Sequence, residues 1–347
     1  MAKPGISPFP RPVSIALWAI GVCASMSLGG FLLTLALREV QKVQVATLFG
    51  QASVPLLLGG LGVFAGASLA RGLRWWVLFK GVRVGFLRLL LVEHTALGVN
   101  NATPIPILDE PVRVGMLALA GVPTGQVLAT MATQRTFELG AQALLAGVGV
   151  LFLQPLRHLA PYIWGAALVA VVATGALFFV GPRVARIPGV GQVPPVRDFG
   201  HTVLLLRGAP LRVGVAFFLT LTYALGVGVS GWIVARAFAL PIPLLGMVFL
   251  TLITLFVADW VPGLPASIGT FEFIAVTMLG LWGIERAAAF SFAILLHALL
   301  FLPPTVVAGF YLPIAGYRSL RAVLGLLQQR PSLTPAPPTP ADPAPRR

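Results

Sequence analysis

Apolar residues in this chain gather into long runs that short polar or basic connections separate. A helix needs ~20 mostly apolar residues to cross a hydrocarbon core about 30 Å thick, because each residue advances it by about 1.5 Å. Runs of this kind lie at 13–37, 52–70, 122–153, 161–181, 213–235, 243–260, 265–283 and 287–312. The pattern therefore predicts an all-α, polytopic transmembrane helical bundle with roughly 6–8 membrane-spanning helices, in a single domain over residues 1–320.

Two of the apolar stretches are interrupted by residues that break helices. Asparagines and prolines, among them Asn100, Asn101 and Pro104, interrupt the stretch 89–120. Broken backbone at membrane depth is tolerated only where it is buried in protein or lines a wet cavity, so we predict a re-entrant helical hairpin there. Prolines and glycines interrupt 243–285 in the same way. This second stretch either crosses the membrane twice or forms a second re-entrant hairpin, and paired interruptions are typical of midplane binding sites in transporters.

The distribution of charge indicates which loops face the cytoplasm. Only 10% of the residues are charged, and Lys plus Arg number 24 against 10 Asp plus Glu. Basic loops stay on the cytoplasmic side, and the base-rich stretches are 71–88, 182–212 and 313–347. Two runs, 122–153 and 161–181, already separate the first two of these stretches, so 89–120 must enter and leave on one side. Both termini are then predicted to be cytoplasmic, in a multi-pass protein of the cell membrane.

Composition argues against several other classes of protein. Basic residues are not interleaved with aromatic ones in a nucleic-acid-binding module, so we expect no nucleic-acid partner despite the formal net charge of +14. One cysteine, Cys23, and four scattered histidines show no metal-ligand spacing, so we expect no metal or other cofactor. No nucleophile–base pair or phosphate loop is visible, which argues against an enzyme. The proline-rich segment 331–347 is predicted to be a disordered cytoplasmic tail.

Charged residues inside the apolar stretches are the candidates for chemistry, because each costs about 2.5–3.5 kcal/mol to insert into a membrane. Arg135 lies about 20 Å along the run 122–153 and therefore near the bilayer centre. Glu138 follows three residues later on the same helix face. Glu110 and Arg113 have the same spacing, so the members of each couple can form an ion pair.

Two interpretations of these couples are open. In one, they are structural ion pairs that join the hairpin to the neighbouring helix. In the other, Arg113 and Arg135 form a buried site for a lipid phosphate, and Glu110 and Glu138 set their orientation. Glu272 follows the prolines and glycines of the second stretch. It is either a hydrogen-bonded glutamate beside an interhelical turn or a part of the site. The candidate residues for binding a lipid headgroup are Arg113, Arg135, Glu110, Glu138, Glu272, Asn100 and Asn101.

The same residues resemble the motifs of a known family. In chain order, the motifs are Asn100-Asn101-x-x-Pro104, Asp109-Glu110-Pro111-x-Arg113, Gln134-Arg135-x-x-Glu138 and the set Pro265, Gly269 and Glu272. Together they resemble the transmembrane region of lysylphosphatidylglycerol synthases, a flippase-like family of integral membrane proteins, over nearly the whole chain up to about residue 320. Asp109, Gln134 and Glu138 stand where glycine, glutamate and aspartate are usual in that family.

The resemblance implies lipid translocation. In multiple peptide resistance factors, which share this region, it implies the movement of aminoacylated phosphatidylglycerol between leaflets. We therefore expect a flippase that moves an anionic phospholipid or a glycolipid and that is not an enzyme. The alternative is a non-transporting membrane scaffold, acting as a homo-oligomer or as the partner subunit of a lipid-modifying enzyme.

Overall fold

The computed structural model describes residues 11–104, 108–152, 157, 160–261 and 263–315. Most of these residues are helical, and no β-strand occurs within these ranges, which confirms the predicted all-α bundle. The α-helices are α1 (Arg11–Leu37), α2 (Lys42–Gln51), α3 (Val54–Leu78), α4 (Phe86–Asn101), α5 (Asp109–Leu119), α6 (Thr124–Phe152), α7 (Ala160–Gly175), α8 (Gly181–Val184), α9 (Pro194–Arg207), α10 (Pro210–Ala237), α11 (Leu244–Trp260), α12 (Thr270–Gly280) and α13 (Arg286–Ile314). A π-helical segment, Ala176–Val180, joins α7 to α8, and a 3-10 turn, Pro265–Ser267, precedes α12.

Five helical segments in the described part of the chain are long and apolar enough to cross a membrane. They are Ala19–Leu37, Val54–Leu78, Ala160–Val184, Pro210–Ala237 and Arg286–Ile314. Helix α6 has 29 residues, or about 43 Å at 1.5 Å per residue, but it carries Arg135 and Glu138 in its middle. The chain is therefore a multi-pass membrane protein.

The packing of α3 against α10 is the most extensive in the bundle and depends on small residues. Ser230 of α10 donates a hydrogen bond to the carbonyl oxygen of Gly60 at 2.9 Å. A Cβ atom on Gly226 would lie only 2.8 Å from the Cβ atom of Ala67. Small residues let helices approach closely in lipid, where van der Waals packing and interhelical hydrogen bonds drive helix association. Elsewhere α13 packs against α4, and α6 packs against α7 and α9.

Two pairs of short helices contain the broken stretches. Residues 102–108 join α4 to α5, which pack against each other, and residues 261–269 join α11 to α12. Helices α5 and α12 have 11 residues each, or about 16 Å at 1.5 Å per residue. That length is too short to cross a hydrocarbon core of about 30 Å. Neither α5 nor α12 can therefore span such a core alone, and the two re-entrant hairpins stay a prediction.

The turn before α12 has an unusual backbone. Ala266 and Ser267 have φ angles of 59° and 60°, in the left-handed region that costs of order 1–3 kcal/mol for residues other than glycine. Hydrogen bonds hold this turn in place. Ser25 of α1 donates to the carbonyl oxygen of Gly263 at 2.9 Å, and Ser267 donates to that of Ala258 at 3.0 Å.

The first base-rich stretch is more structured than the charge pattern predicts. Helix α3 continues to Leu78, so Arg71 and Arg74 lie inside a helix and are not in a cytoplasmic loop. The prediction of a loop over 71–88 is therefore wrong for residues 71–78. The physical reason is that carboxylates of neighbouring helices pair with both arginines, so the helix carries them without exposing charge to lipid.

The second base-rich stretch is also partly helical. Helix α9 occupies the middle of 182–212 and packs against α6. The segment 331–347 lies outside the described residues, so its disorder stays a prediction.

Candidate functional site

A cavity of about 580 Å³ lies between the two pairs of short helices, α4–α5 and α11–α12, and the long helices. We call these two pairs the first and second broken pairs. Helices α3, α4, α5, α6, α10, α11 and α13 contribute to its wall, together with residues of the connections before α5 and α12. Its charged residues are Arg71, Asp109, Glu110, Arg135, Glu138 and Asp259, and its other polar residues include His94, Asn100, Asn101, Gln142 and Tyr223. Ligand pockets usually measure about 300–1,000 Å³, so this cavity has the size and the polar lining to hold a small polar group.

Four arginines and four carboxylates form a connected network along one wall of the cavity, here called the arginine cluster. Its members are Arg71, Arg74, Arg113, Arg135, Glu93, Asp109, Glu110 and Glu138. They come from α3, α4, α5 and α6, so the cluster joins the first broken pair to two long helices. Charges inside a membrane persist where they pair with one another, and the network provides that pairing.

Glu93 and Arg74 form the buried centre of the arginine cluster, and neither is exposed. Glu93 Oε1 accepts a hydrogen bond from Arg71 Nε at 2.9 Å and lies 3.7 Å from Arg74 Nη2. The same Arg74 nitrogen lies 2.9 Å from Glu138 Oε1. Tyr223 of α10 holds Arg71 from the other side, because its hydroxyl accepts a hydrogen bond from Arg71 Nη1 at 3.0 Å. The centre of the cluster is therefore paired by charge and buried away from the cavity, although the Arg74 nitrogens and Glu93 Oε2 form no hydrogen bond with the described residues.

Arg113 lies behind the cavity wall. Its side chain is 7% exposed, its Nη2 lies 3.0 Å from Asp109 Oδ2, and its guanidinium carbon lies 5.8 Å from the centroid of the Trp75 ring. The predicted ion pair between Glu110 and Arg113 is therefore wrong. Asp109 lies one helical turn before Arg113 and on its inner face, which turns Glu110 towards α6. Arg113 and Arg135 share only a cleft of about 10 Å³, so the structure does not bring them together around a phosphate-sized space.

Arg135 is the arginine of the cluster that is most open to the cavity, with 51% of its side chain exposed. Its Nε donates to Glu110 Oε1 at 3.2 Å, and its Nη1 donates to Glu138 Oε2 at 3.3 Å. The predicted pairing of Arg135 with Glu138 is confirmed. These contacts use two of the five N–H donors of a guanidinium, so the two carboxylates hold the side chain in place and leave further donors for a ligand.

Asp259 of α11 faces the same cavity without a cationic partner. It is exposed there and forms no salt bridge with any residue that the structure describes. With Asp259, five carboxylates surround the four arginines. The cavity therefore offers a guanidinium to an anionic group and a carboxylate to a cationic group.

The two asparagines close the turn of the first broken pair. Asn100 Oδ1 accepts a hydrogen bond from the backbone N–H of Leu108 at 3.0 Å. Asn101 Nδ2 donates to the carbonyl oxygen of Phe301 at 3.1 Å and to Thr305 Oγ1 at 3.0 Å, both on α13. Both asparagines line the cavity, but these bonds give them a structural part in shaping it.

Glu272 lies apart from the arginine cluster and pairs with His297 of α13. Glu272 Oε2 accepts a hydrogen bond from the backbone N–H of Gly269 at 2.7 Å, which caps the start of α12. Its Oε1 lies 2.5 Å from His297 Nδ1, and His297 Nε2 lies 2.9 Å from the carbonyl oxygen of Ala266. We call these two residues the glutamate–histidine pair. It connects α12 to α13 and to the strained turn, whose residues Ala266 and Ser267 line the cavity.

Six residues that form these two clusters or hold them in place were not among the headgroup-binding candidates predicted from the sequence: Arg71, Arg74, Glu93, Asp109, Tyr223 and His297. Arg71 and Arg74 were predicted in a loop, although the run Trp75-Trp76-Val77-Leu78 after them indicates that the apolar helix continues. Tyr223 and His297 lie 152 and 25 residues from their partners Arg71 and Glu272. Residue spacing along one helix predicts pairs within that helix, so it does not predict contacts between different helices.

A multi-pass bundle of apolar helices that surround a charged cavity defines a polytopic integral membrane protein. The described residues contain no group of three or more His, Cys, Asp or Glu side chains that could hold a metal ion. The family model described as lysylphosphatidylglycerol synthase TM region matches residues 18–308. The chain belongs to this family. No curated protein matches it in sequence.

Proposed function

We propose that this protein moves a phospholipid or glycolipid between the leaflets of a membrane without changing its covalent structure. The observation that carries the proposal is the half-exposed guanidinium of Arg135 in a cavity inside an apolar bundle. Placing a charge at such depth is costly, and Glu110 and Glu138 hold it there in a defined position. A guanidinium held in this way suits the bidentate binding of a phosphate.

The opposite charge in the cavity narrows the class of headgroup. Asp259 forms no salt bridge among the described residues, so its carboxylate is available to a cationic group. A headgroup that carries both a phosphate and an amine would satisfy Arg135 and Asp259 together. A purely anionic headgroup would bring its phosphate to Arg135 and leave Asp259 without a partner.

The rim of the cavity supports a route in which only the headgroup enters. Trp260 lines the cavity and is 67% exposed. Aromatic side chains of this kind have an apolar body that suits acyl chains and a polar N–H that suits the interface. The acyl chains would therefore stay in lipid while the headgroup crosses along the polar wall.

A transport assay tests the proposal. The purified protein is reconstituted into liposomes that contain a headgroup-labelled phospholipid, and a membrane-impermeant quencher reports which leaflet the label occupies. We expect Arg135→Ala to lower the transfer rate about tenfold, the effect of losing about 1.4 kcal/mol of a charge-assisted contact.

Arg197→Ala is the matched control, because Arg197 lies on α9 with 68% of its side chain exposed and does not line the cavity. It should keep the native rate. A native rate in Arg135→Ala would contradict the role given to Arg135. If the native protein moves no lipid at all and a lipid-modifying enzyme purifies with it, the scaffold alternative is favoured.

We also propose that the protein lies in the cell membrane with both termini on the cytoplasmic side. The base-rich stretches at 79–88 and 182–212 support this orientation through the positive-inside rule. Cysteines introduced at Arg83 and Arg197 in a Cys23→Ser background should react with an impermeant thiol reagent only after the membrane is opened. Labelling in intact cells would show that these segments face the outside and that the proposed orientation is wrong.

A further inference from the structure

The glutamate–histidine pair is buried and has an acceptor at each nitrogen of its imidazole ring. Glu272 is 4% exposed and His297 is 6% exposed. The ring of His297 is enclosed by Phe271 and Phe301, whose centroids lie 4.6 Å and 4.3 Å from its own. Nδ1 faces the Glu272 carboxyl, and Nε2 faces the carbonyl oxygen of Ala266. Water therefore has little access to either group. Their hydrogen bonds must be made with each other and with the neighbouring backbone.

This geometry requires two protons in the pair. A carbonyl oxygen only accepts hydrogen bonds, so Nε2 must carry a proton to bond with Ala266. Nδ1 and Glu272 Oε1 lie 2.5 Å apart, so a second proton must lie between them. It resides either on Nδ1, giving an imidazolium beside a carboxylate, or on Glu272, giving two neutral groups. In both arrangements the pair is neutral overall.

Removal of the second proton destroys the arrangement. The Nδ1 lone pair would then face a carboxylate oxygen, and the pair would carry one buried negative charge whose remaining hydrogen bond comes from the backbone N–H of Gly269. A buried charge without a partner costs far more than a paired one. Repulsion between the Nδ1 lone pair and the carboxylate would push the ring away from Glu272, and this displacement of His297 would weaken its hydrogen bond to Ala266.

The turn that His297 holds is the strained one. Ala266 and Ser267 adopt left-handed φ angles of 59° and 60°, and such conformations persist only where the surroundings hold them. The His297–Ala266 bond is one of those restraints. Because both turn residues line the cavity, release of the turn changes the cavity wall directly.

No other charged group neutralises the pair. Among the described residues, neither Glu272 nor His297 forms a further salt bridge. Helix α1 carries no charged side chain between residues 19 and 37, and Glu272 is the one charged residue of α12. The charged or titratable side chains on the other packed helices are Lys42 of α2, Arg71 and Arg74 of α3, Arg88, Glu93 and His94 of α4, Arg212, Tyr223 and Arg236 of α10, Asp259 of α11, and Arg286 and Tyr311 of α13 itself.

We propose that the glutamate–histidine pair is a proton-binding site whose occupancy controls the turn 263–269 and thereby the wall of the cavity. The bound proton holds α12, α13 and the turn together, and its loss frees the turn. The ligand of this second site is the proton itself. Its link to lipid movement rests on the proposed function, whereas the link between protonation and the turn does not.

The link between protonation and the turn is tested by spin labelling. Ile268 lies in the turn and is 38% exposed, so it accepts a label as Ile268→Cys in a Cys23→Ser background. In the protein with an intact pair, we expect the mobile fraction of the electron paramagnetic resonance spectrum to be larger at alkaline pH than at acidic pH. A spectrum that does not change with pH overturns the proposal.

Glu272→Gln is the sharpest variant, because its amide can donate to His297 Nδ1 while its oxygen still accepts from Gly269. It imitates the protonated pair, so the label should stay immobile and the response to pH should be lost. His297→Gln removes the titrating ring but keeps a donor for Ala266, and it should lose the response as well. A response that survives in both variants overturns the proposal, even if one variant folds poorly.

His94→Gln is the matched control, because His94 also lines the cavity but bonds to the carbonyl oxygen of Leu90 at 2.9 Å on its own helix. His94→Gln should keep the native response to pH. Loss of the response in this variant would show that His94, and not His297, binds the proton. The transport assay then tests the link to function: the pH dependence of lipid transfer should disappear in Glu272→Gln. If no protein moves lipid, the proposed function fails, whereas the spectra still decide the proton site.

Discussion

The bundle contains two polar clusters that hold their charges by different chemistry. In the arginine cluster, guanidinium groups that do not lose their protons in proteins are paired with carboxylates. In the glutamate–histidine pair, one partner is an imidazole, whose ring can take up or release a proton. The first cluster spans four helices with contacts of 2.9–3.9 Å, and the second joins two helices and a turn. The arginine cluster is therefore fixed in charge, and the pair can change its charge state.

This difference assigns the two clusters different parts in the molecule. A fixed network keeps α3, α4, α5 and α6 in register under all conditions and presents Arg135 to the cavity. A titratable pair beside a strained turn makes one wall of the same cavity depend on pH. Three substitutions test this contrast through the stability of the fold.

The largest effect is expected from breaking the arginine cluster at its centre. Arg74 is fully buried and lies between Glu93 and Glu138. Arg74→Ala removes one cation from each carboxylate, although Arg71 still pairs with Glu93 and Arg135 with Glu138. Breaking a buried ion pair on one side costs up to about 3–5 kcal/mol. Thermal unfolding in detergent, followed by tryptophan fluorescence, should show a large decrease in stability at every pH. A loss under about 1 kcal/mol, the range of an exposed pair, would contradict a fixed central role.

A smaller effect is expected from breaking the glutamate–histidine pair. His297→Phe replaces the imidazole by a ring that the neighbouring aromatic residues Phe271 and Phe301 can accommodate. Glu272 can take up a proton and keep its bond to Gly269, so the loss is that of buried hydrogen bonds, about 1–3 kcal/mol. The same unfolding measurement applies. A loss as large as that of Arg74→Ala would show that the pair is as fixed as the cluster.

The smallest effect is expected at a surface ion pair. Arg197 and Asp198 lie 3.6 Å apart on α9, and 68% of the Arg197 side chain is exposed. Pairs of this kind contribute about 0–1 kcal/mol, so Arg197→Ala should leave the melting temperature nearly unchanged. A substantial loss of stability would mean that α9 is held to α6 by charge and not by apolar packing.

The helices of the bundle were predictable from sequence because hydrophobic length is a local property. The predicted runs 122–153 and 287–312 agree closely with α6 and α13. The chain before Leu78 shows where this reasoning fails. Basic residues at the end of an apolar run resemble a cytoplasmic loop, although Arg71 and Arg74 belong to the helix. Only the carboxylates of other helices, which the sequence does not place nearby, explain why they are buried.

The candidate site was predictable in its residue types but not in its pairings. Spacing along one helix correctly paired Arg135 with Glu138. The same rule failed for Arg113, because Asp109 and Glu110 are both within reach and the packing of α5 against α4 decides between them. The partner of Glu272 lies on another helix, so no local pattern predicts it.

The two adjacent prolines of α13 create a position at which this helix can bend. Pro303 and Pro304 have no backbone N–H, so the carbonyl groups of Leu299 and Leu300 lose their helical partners. A helix bends most easily where its hydrogen-bond ladder is interrupted. His297 lies less than two helical turns before these prolines. Asn101 of α4 donates a hydrogen bond to the carbonyl oxygen of Phe301, next to the interrupted part of the helix. Bending of α13 at these prolines would move its longer, N-terminal part, which carries His297, relative to its shorter C-terminal part.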